Sequence, residues 1–119
     1  MRQKLLLNKD IVILQAIDEA ISKIEEFISS FNDAESFFES KVHFDAVLMN
    51  FVFIGESVEK LQKDFRESHS DIPWQKIKDF RNLIAHDYLG VDAEEVWQII
   101  GTHLKRFKEQ ITVIIEKES

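Results

Sequence analysis

One polar segment carries the residue types that handle phosphate, Arg81-Asn82-Leu83-Ile84-Ala85-His86-Asp87-Tyr88. The guanidinium group of Arg81 can bind a phosphate through two parallel hydrogen bonds. The imidazole of His86 can carry a proton near neutral pH. The amide of Asn82 and the phenol of Tyr88 lie within a few residues of both. This combination indicates a site for the chemistry of phosphate esters.

The spacing of these residues on a helix separates the two basic groups. At about 3.6 residues per turn, Arg81 and His86 lie about 140° apart and point away from each other. Asn82 shares a face with His86, which makes it the candidate that fixes the tautomer of His86. Two arrangements would bring the arginine and the histidine together. Either the helix ends near His86 and the chain turns back at Gly90, or two copies meet across a two-fold axis; we expect both to contribute. Alternatively, Asp87 simply pairs with Arg81 or His86 and the segment is an ordinary surface.

The elements that position this segment are predicted to be helices. The 119 residues include only one proline and three glycines, the residues that most often interrupt a helix. So few helix breakers predict a single all-α domain over residues 1–119, an up-and-down helical bundle of four main helices and a short one. Apolar residues recur at spacings of three and four, as in helices that pack on one side. The predicted helices are 9–29 with Asn8 as N-cap, 33–39 capped by Asn32, 41–67, a fourth with Pro73 in its first turn, and 92–117 with Asp92 and Glu95 as a capping box.

Gly55 lies inside the third predicted helix, where a glycine lowers helix stability by up to about 1 kcal/mol. We therefore expect another backbone to pass close to it. Trp74 and Trp97, at the beginnings of helices, belong either to the core or to an interface. The remaining histidines are interpreted as structural or solvent-exposed: His43, His69 and His103.

The composition excludes several classes of function. The net charge of −7 opposes nucleic-acid binding unless basic residues gather at one cleft. Candidates for such a cleft are Lys60, Lys63 and Arg66 on one predicted helix, and Lys76, Lys78 and Arg81 on the next. The absence of cysteine excludes disulfides and thiolate metal sites, and fits a cytoplasmic protein. No apolar run suits a membrane span and no motif suits a metal, a P-loop or a serine nucleophile, so we expect no membrane association, no cofactor and no metal.

The run Arg-Asn-x-x-x-His-x-Tyr at 81–88 resembles the R-polar-x-x-x-H motif of the HEPN superfamily. With the tyrosine two residues after the histidine, it is most similar to the HepT-like branch, the toxin partners of MNT-type nucleotidyltransferases. Further segments match that branch: Ile72-Pro73-Trp74, Ile54-Gly55-Glu56, and Val91-Asp92 with Val96-Trp97. The resemblance covers nearly the whole chain. It implies a HEPN-like bundle that forms a homodimer, with a cleft built by both protomers.

The resemblance also implies a function. The chain would be a metal-independent endoribonuclease toxin of a type II/VII-like toxin–antitoxin pair, cleaving cellular RNA, with tRNA among the family's substrates. Arg81 would hold the scissile phosphate, His86 would transfer the proton, Asn82 would position His86, and Tyr88 would contact phosphate or substrate. Tyr88 would also accept AMP from the cognate MNT-type nucleotidyltransferase antitoxin, which would place an anion beside Arg81.

Two other interpretations stay open at this point. The first is a non-catalytic helical module that binds a nucleotide or a partner nucleotidyltransferase, which the acidic net charge favours slightly. The second is a purely structural dimerisation bundle, which explains the apolar stripes but leaves the polar segment at 81–88 without a role.

Overall fold

The structure, a computed structural model, describes the backbone of residues 2–118 and the side chains of residues 9–118. These residues form seven α-helices and one 3-10 turn, and they include no strand. In chain order the elements are α1 (Arg2–Ile28), α2 (Ala34–Glu39), α3 (Lys41–Lys60), α4 (Lys63–Ser68), α5 (Trp74–His86), the 3-10 turn (Tyr88–Gly90), α6 (Ala93–Gly101) and α7 (His103–Glu118). The predicted all-α bundle is confirmed.

The core forms around α3, which packs against α1, α2 and α5. The apolar stripes of α1, α3 and α7 supply fully buried side chains, among them Leu14, Ile17, Val47, Leu48 and Ile111. Removing such side chains from water is the main favourable contribution to folding. None of the helices in the described part of the chain combines the length and apolarity needed to cross a bilayer. The contact of α3 with α5 matters for function, because α5 carries most of the polar segment.

The third predicted helix is wrong in one respect, since it is interrupted. It ends at Lys60 and the chain becomes helical again at Lys63, the start of α4. At the break, Oδ1 of Asp10 on α1 accepts a hydrogen bond of 2.9 Å from the backbone N–H of Gln62. This contact pairs an N–H group near a helix start that has no partner within the helix. Because of the break, Lys60 does not lie on the same helix as Lys63 and Arg66.

The last predicted helix is also interrupted, at Thr102. The backbone of Thr102 leaves the helical region, with φ −126° and ψ −80°, and its Oγ1 donates to the carbonyl of Gln98 at 2.7 Å. On the two sides of this break the helices have different neighbours: α6 packs against α2, whereas α7 packs against α1. The bundle therefore has more helices than predicted, because two of the predicted helices are each divided.

The predicted N-caps of the first two helices are wrong. The backbone is helical from Arg2, so Asn8 lies within α1; its side chain is outside the described part. The cap of α2 is Asp33 rather than Asn32, and Asp33 Oδ1 accepts from the backbone N–H of Ser36 at 2.8 Å. Asparagine and aspartate are comparable caps, so sequence alone could not choose between adjacent candidates.

The predicted cap at Asp92 is confirmed, although its bond differs from the prediction. Oδ1 of Asp92 accepts from the backbone N–H of Glu94 at 3.0 Å. The described side chains show no reciprocal bond from Glu95, so the capping box is incomplete.

Trp74 belongs to the core, which answers one question that the sequence left open. It is 7% exposed, and its Nε1 donates to the carbonyls of Arg66 and His69 at 3.1 and 3.0 Å. The indole thus ties the segment before α5 to the first turn of that helix. Pro73 precedes this turn instead of lying in it, since α5 begins at Trp74. Trp97 is partly buried and packs against the core.

Candidate active site

Gly55 on α3 and Arg81 on α5 meet where the two helices pack. A Cβ atom on Gly55 would collide with the Cβ of Arg81 and lie 2.7 Å from its Cγ. The carbonyl oxygen of Ile77 would lie 3.5 Å away. The expected close approach at Gly55 is therefore confirmed, and the helix that approaches carries the arginine of the motif. Gly55 lets the aliphatic stem of Arg81 lie directly on α3.

Two polar partners hold the guanidinium group of Arg81. Nη1 donates to Oδ1 of Asn82 at 2.6 Å, and Nη2 donates to Oε2 of Glu59 on α3 at 3.3 Å. The Arg81 side chain is 23% exposed and that of Glu59 is 43% exposed. An incoming phosphate can reach this ion pair from solvent and replace the carboxylate of Glu59. In this arrangement Asn82 positions Arg81, and the expected bond from Asn82 to His86 is not formed.

His86 is the last residue of α5 and is exposed. Its ring makes no hydrogen bond with any side chain that the structure describes, so the imidazole nitrogens are accessible for proton transfer. On the continuous helix, about 7.5 Å of rise and about 140° of rotation separate His86 from Arg81. As the first predicted arrangement requires, α5 ends at His86 and the chain turns at Asp87 and Tyr88–Gly90. His86 itself is still helical, however, so this turn does not bring it back towards Arg81. Within one protomer the two side chains do not converge on one phosphate.

Tyr88, at the start of the 3-10 turn, has a partner that the sequence did not suggest. Its hydroxyl donates a hydrogen bond to the carboxylate of Asp45 on α3. This hydrogen bond, together with partial burial and the charge of Asp45, raises the pKa of Tyr88 to about 12. About 21 Å of rise along α3 separates Asp45 from Glu59, the residue that binds Arg81. An anion on Tyr88 would therefore not lie beside Arg81 of the same chain, contrary to expectation.

Asp87 takes no part in the site as a partner of either basic group. A Cβ on Gly90 would lie 2.8 Å from Oδ1 of Asp87, so the Asp87 carboxylate is turned towards Gly90. The alternative in which Asp87 pairs with Arg81 or His86 is not observed. The spacing within the motif does not reveal the actual partners, Glu59 and Asp45, because they lie 22 and 43 positions away from the residues they bind.

An open groove of about 420 Å³ runs beside α5. Its apolar lining includes Phe80 and Leu83 of α5, with Phe51 of α3 and Phe107 of α7. Leu83 is three residues before His86, so the groove ends close to the face of α5 that carries the imidazole.

The other histidines have the surroundings predicted for them. His43 packs edge-on against Phe27 and Phe31, with ring centroids 6.3 and 5.1 Å away. His69 packs against Phe65 with the ring planes tilted by 51° and the centroids 4.7 Å apart. His103 is exposed at the start of α7. Within the described side chains, no three His, Cys, Asp or Glu residues are grouped in a way that could hold a metal ion.

The model of the family described as "Ribonuclease HepT-like" matches residues 17–114, a span that contains the whole segment 81–88. The chain belongs to the HepT-like ribonuclease family. The predicted resemblance to the HepT-like branch of the HEPN superfamily is thereby confirmed, and the all-α bundle is the fold of a HepT-like protein.

Curated relatives of this HepT-like chain carry ribonuclease names. A protein of Caldanaerobacter subterraneus subsp. tengcongensis named "Putative RNase" is 33% identical over 106 residues, which cover 89% of this chain and 90% of the relative. The "Probable ribonuclease HepT" of Thermococcus cleftensis is 32% identical over 95 residues, 80% of this chain and 86% of the relative.

A longer relative comes from Methanocaldococcus jannaschii and is named "Gamma-glutamylcyclotransferase and putative RNase". It is 34% identical over 112 residues, which cover 93% of this chain and 50% of the relative. The HepT-like chain thus spans half the length of that protein. No solved structure matches the chain.

Proposed function

We propose that this HepT-like chain is a metal-independent endoribonuclease whose active site is completed by two copies of the chain. Each site takes Arg81 from one protomer and His86 from the other. The main support is that α5 holds both functional groups at its surface but about 140° apart. A two-fold axis beside α5 would bring the free imidazole of one protomer to the guanidinium of its partner.

The proposed reaction uses the nucleophile that RNA carries, the 2′-hydroxyl. The 2′ oxygen attacks the adjacent phosphorus while the bond from phosphorus to the 5′ oxygen breaks. His86 accepts the 2′-hydroxyl proton or donates a proton to the departing 5′ oxygen. The products end in a 2′,3′-cyclic phosphate and a 5′-hydroxyl. No step in this scheme requires a metal ion.

Arg81 stabilises the negative charge that builds on the phosphate oxygens. To do so its Nη2 exchanges the Glu59 carboxylate for a phosphate oxygen, while Asn82 keeps hold of Nη1. Because the stem of Arg81 is packed on Gly55, this exchange needs little movement of the side chain. The arrangement therefore supports a preorganised phosphate site.

The purified protein is expected to cleave RNA in the presence of EDTA and to leave 2′,3′-cyclic phosphate ends. His86→Ala removes the group that transfers the proton, so the cleavage rate should fall by about 10²- to 10⁴-fold. The matched control is His103→Ala, because His103 is also exposed but lies outside the motif. Cleavage by His86→Ala at the parental rate, or cleavage only with a divalent ion, would contradict the proposal.

We further propose that the chain is the toxin of a toxin–antitoxin pair in the cytoplasm, acting on cellular RNA such as tRNA. The cognate MNT-type nucleotidyltransferase would be the antitoxin and would transfer AMP to Tyr88. Tyr88 is 40% exposed and Leu89 is 96% exposed, so a second protein can reach this segment. In a shared site Tyr88 accompanies His86, so AMP on Tyr88 would bring an anion towards the partner subunit's Arg81 and repel RNA.

A second candidate function is a non-catalytic module that binds a nucleotide or a nucleotidyltransferase. The net charge of −7 favours it, as does the pairing of Arg81 with the carboxylate of Glu59. The cleavage assay in EDTA separates the two functions, because a binding module leaves RNA intact at any protein concentration.

A further inference from the structure

The contact between Tyr88 and Asp45 joins two segments that lie 43 positions apart in the sequence. Asp45 is in the first turns of α3, and Tyr88 begins the 3-10 turn that follows α5. Among the described side chains, only Asp45 forms a hydrogen bond with the Tyr88 hydroxyl. The chain contains a single tyrosine, so Asp45 is paired with the only phenol in the protein. The Asp45 carboxylate has no role in the proposed cleavage of RNA, and it does not bind Arg81.

A phenol that becomes modified must lose its proton as the oxygen forms its new bond. With the pKa of Tyr88 raised to about 12, the phenolate form is scarce near neutral pH. A reaction that begins from the abundant protonated phenol must release the phenol proton during the attack. A carboxylate that already accepts the hydrogen bond is placed to receive it.

We propose that Asp45 is the general base for the modification of Tyr88. The Oη of Tyr88 attacks the α-phosphorus of a nucleoside triphosphate, forming the Oη–P bond. The bond between the α-phosphorus and the bridging oxygen breaks and pyrophosphate leaves, while the phenol proton passes to Asp45. The inference rests on the proposed AMPylation of Tyr88 and adds that the acceptor chain brings its own base. Protein kinases use an aspartate in the same way to accept the proton of a substrate hydroxyl.

The modification has a structural consequence. Once Oη is esterified it no longer donates a hydrogen bond, and the new phosphate is an anion beside the Asp45 carboxylate. Like charges at this distance repel each other, so Tyr88 loses its tie to α3. The exposed apolar side chains on either side, Val42 on α3 and Leu89 in the turn, leave the pair open to a transferase.

The first experiment reads the contact in solution without any partner protein. Ultraviolet absorbance during an alkaline titration reports the ionisation of the single tyrosine. In Asp45→Asn the midpoint should fall from about 12 towards the ordinary value of about 10. Circular dichroism at each pH shows whether the protein stays folded. An identical midpoint in the parent and in Asp45→Asn would overturn the proposal, since the contact would then be absent.

The second experiment tests proton transfer with N-acetylimidazole, which acetylates Tyr88 with imidazole as the leaving group. An asparagine at position 45 can still accept a hydrogen bond but cannot take up the proton. The parent should show a rate that is independent of pH from about pH 6 to pH 8. In Asp45→Asn the rate should rise about tenfold per pH unit, because only the phenolate reacts. A tenfold rise per unit in the parent as well would overturn the proposal.

Three control variants protect this experiment. Glu56→Gln removes another exposed carboxylate of α3, and it should keep the parental pH profile. The titratable groups closest to the pair along the chain are His86 and Asp87 beside Tyr88, and His43 and Lys41 before Asp45 on α3. Because a neighbouring imidazole could also accept the proton, the profiles are repeated in His86→Ala and in His43→Ala.

The third experiment uses ATP and a purified MNT-type nucleotidyltransferase, the class of the proposed antitoxin, with mass spectrometry of the peptide that carries Tyr88. Slower AMPylation of Asp45→Asn than of the parent and of Glu56→Gln supports the proposal. Equal AMPylation of all three overturns the role of Asp45 and leaves the modification of Tyr88 established. If none is modified while the parental acetylation is independent of pH, Asp45 acts as the base and the proposed AMPylation is wrong.

Discussion

At the scale of single residues, the candidate site consists of pairs that α3 and α5 complete together. Gly55 makes room for the stem of Arg81, and Glu59 binds its guanidinium group. Asp45 binds the hydroxyl of Tyr88 just beyond the end of α5. In each pair the residue on α3 has no obvious function until its partner is known. Substitutions on α3 should therefore change the properties of the motif on α5.

Gly55→Ala should disturb both stability and the position of Arg81. The added methyl group collides with the Arg81 side chain, and such overpacking typically lowers the free energy of unfolding by about 1–3 kcal/mol. The higher helix propensity of alanine offsets up to about 1 kcal/mol of this loss. We expect a lower midpoint in urea and slower RNA cleavage.

Gly101→Ala is the matched control for this substitution. A Cβ on Gly101 would meet no atom within 4 Å, and no glycine in the described chain has a positive φ. This variant should be as stable as the parent or slightly more stable. If Gly55→Ala unfolds at the same urea concentration as Gly101→Ala, the close approach to Arg81 is not a constraint.

At the scale of the elements, the breaks between helices depend on residues from other helices. Asp10 on α1 is 3% exposed and binds the backbone of Gln62 between α3 and α4. Burial raises the pKa of Asp10, and the hydrogen bond from Gln62 opposes this only in part. The Asp10 carboxylate thus binds the backbone at the break between α3 and α4 and joins this break to α1. Because the carboxylate is buried, its ionised form lowers the stability of the folded protein.

The substitution Asp10→Asn should lower the free energy of unfolding least, or even raise it, at neutral pH. A folded-state pKa above the unfolded value means that the folded protein binds the proton more tightly. Ionised Asp10 therefore destabilises the folded protein most at neutral pH. This unfavourable contribution decreases as the pH falls through the folded-state pKa towards 3.8. The stability of Asp10→Asn relative to the parent should accordingly decrease as urea unfolding is repeated at lower pH.

Asp33→Asn provides a control of opposite sign for this pH series. Its hydrogen bonds with Ser36 lower the pKa of Asp33, so its contribution is present at neutral pH and is lost as pH falls. Relative to the parent, Asp33→Asn should be less stable at neutral pH and should recover in acid. If both variants changed in the same direction with pH, the burial of Asp10 would not be the cause.

At the scale of the whole molecule, one protomer leaves the two basic groups of the motif apart. The stem of Arg81 packs on Gly55 of α3, while His86 is at the exposed end of α5. Because helix geometry holds them about 140° apart, small side-chain movements cannot unite them. Assembly of two copies is therefore the level at which the proposed site would form.

Mixing two inactive variants tests the shared site. In a dimer of Arg81→Ala with His86→Ala, one of the two composite sites keeps both the arginine and the histidine. With random exchange of equal amounts about half of the dimers are mixed, so the mixture should recover about a quarter of the parental cleavage rate, far above either variant alone. A mixture that forms dimers, as seen by native mass spectrometry, but stays inactive would show that each site lies within one protomer.

The helical class, the family and the segment that carries the candidate chemistry could all be predicted from the amino-acid sequence. Helical periodicity is a local property, so the stripes on α1, α3, α5 and α7 could be identified from spacing alone. The same holds for the separation of Arg81 and His86 on one helix. Gly55 also indicated that another helix packs close to α3, since a glycine inside a helix is unfavourable unless packing requires it.

The positions of the helix breaks and the residues that complete the site depend on how the helices pack together. The breaks at Gln62 and Thr102 lie in stretches whose apolar spacing continues without interruption, and the first depends on a carboxylate from α1. The partners Glu59 and Asp45 are brought to the motif by the packing of α3 on α5. Contacts between residues far apart in sequence depend on how helices pack, and the spacing within one helix does not encode that.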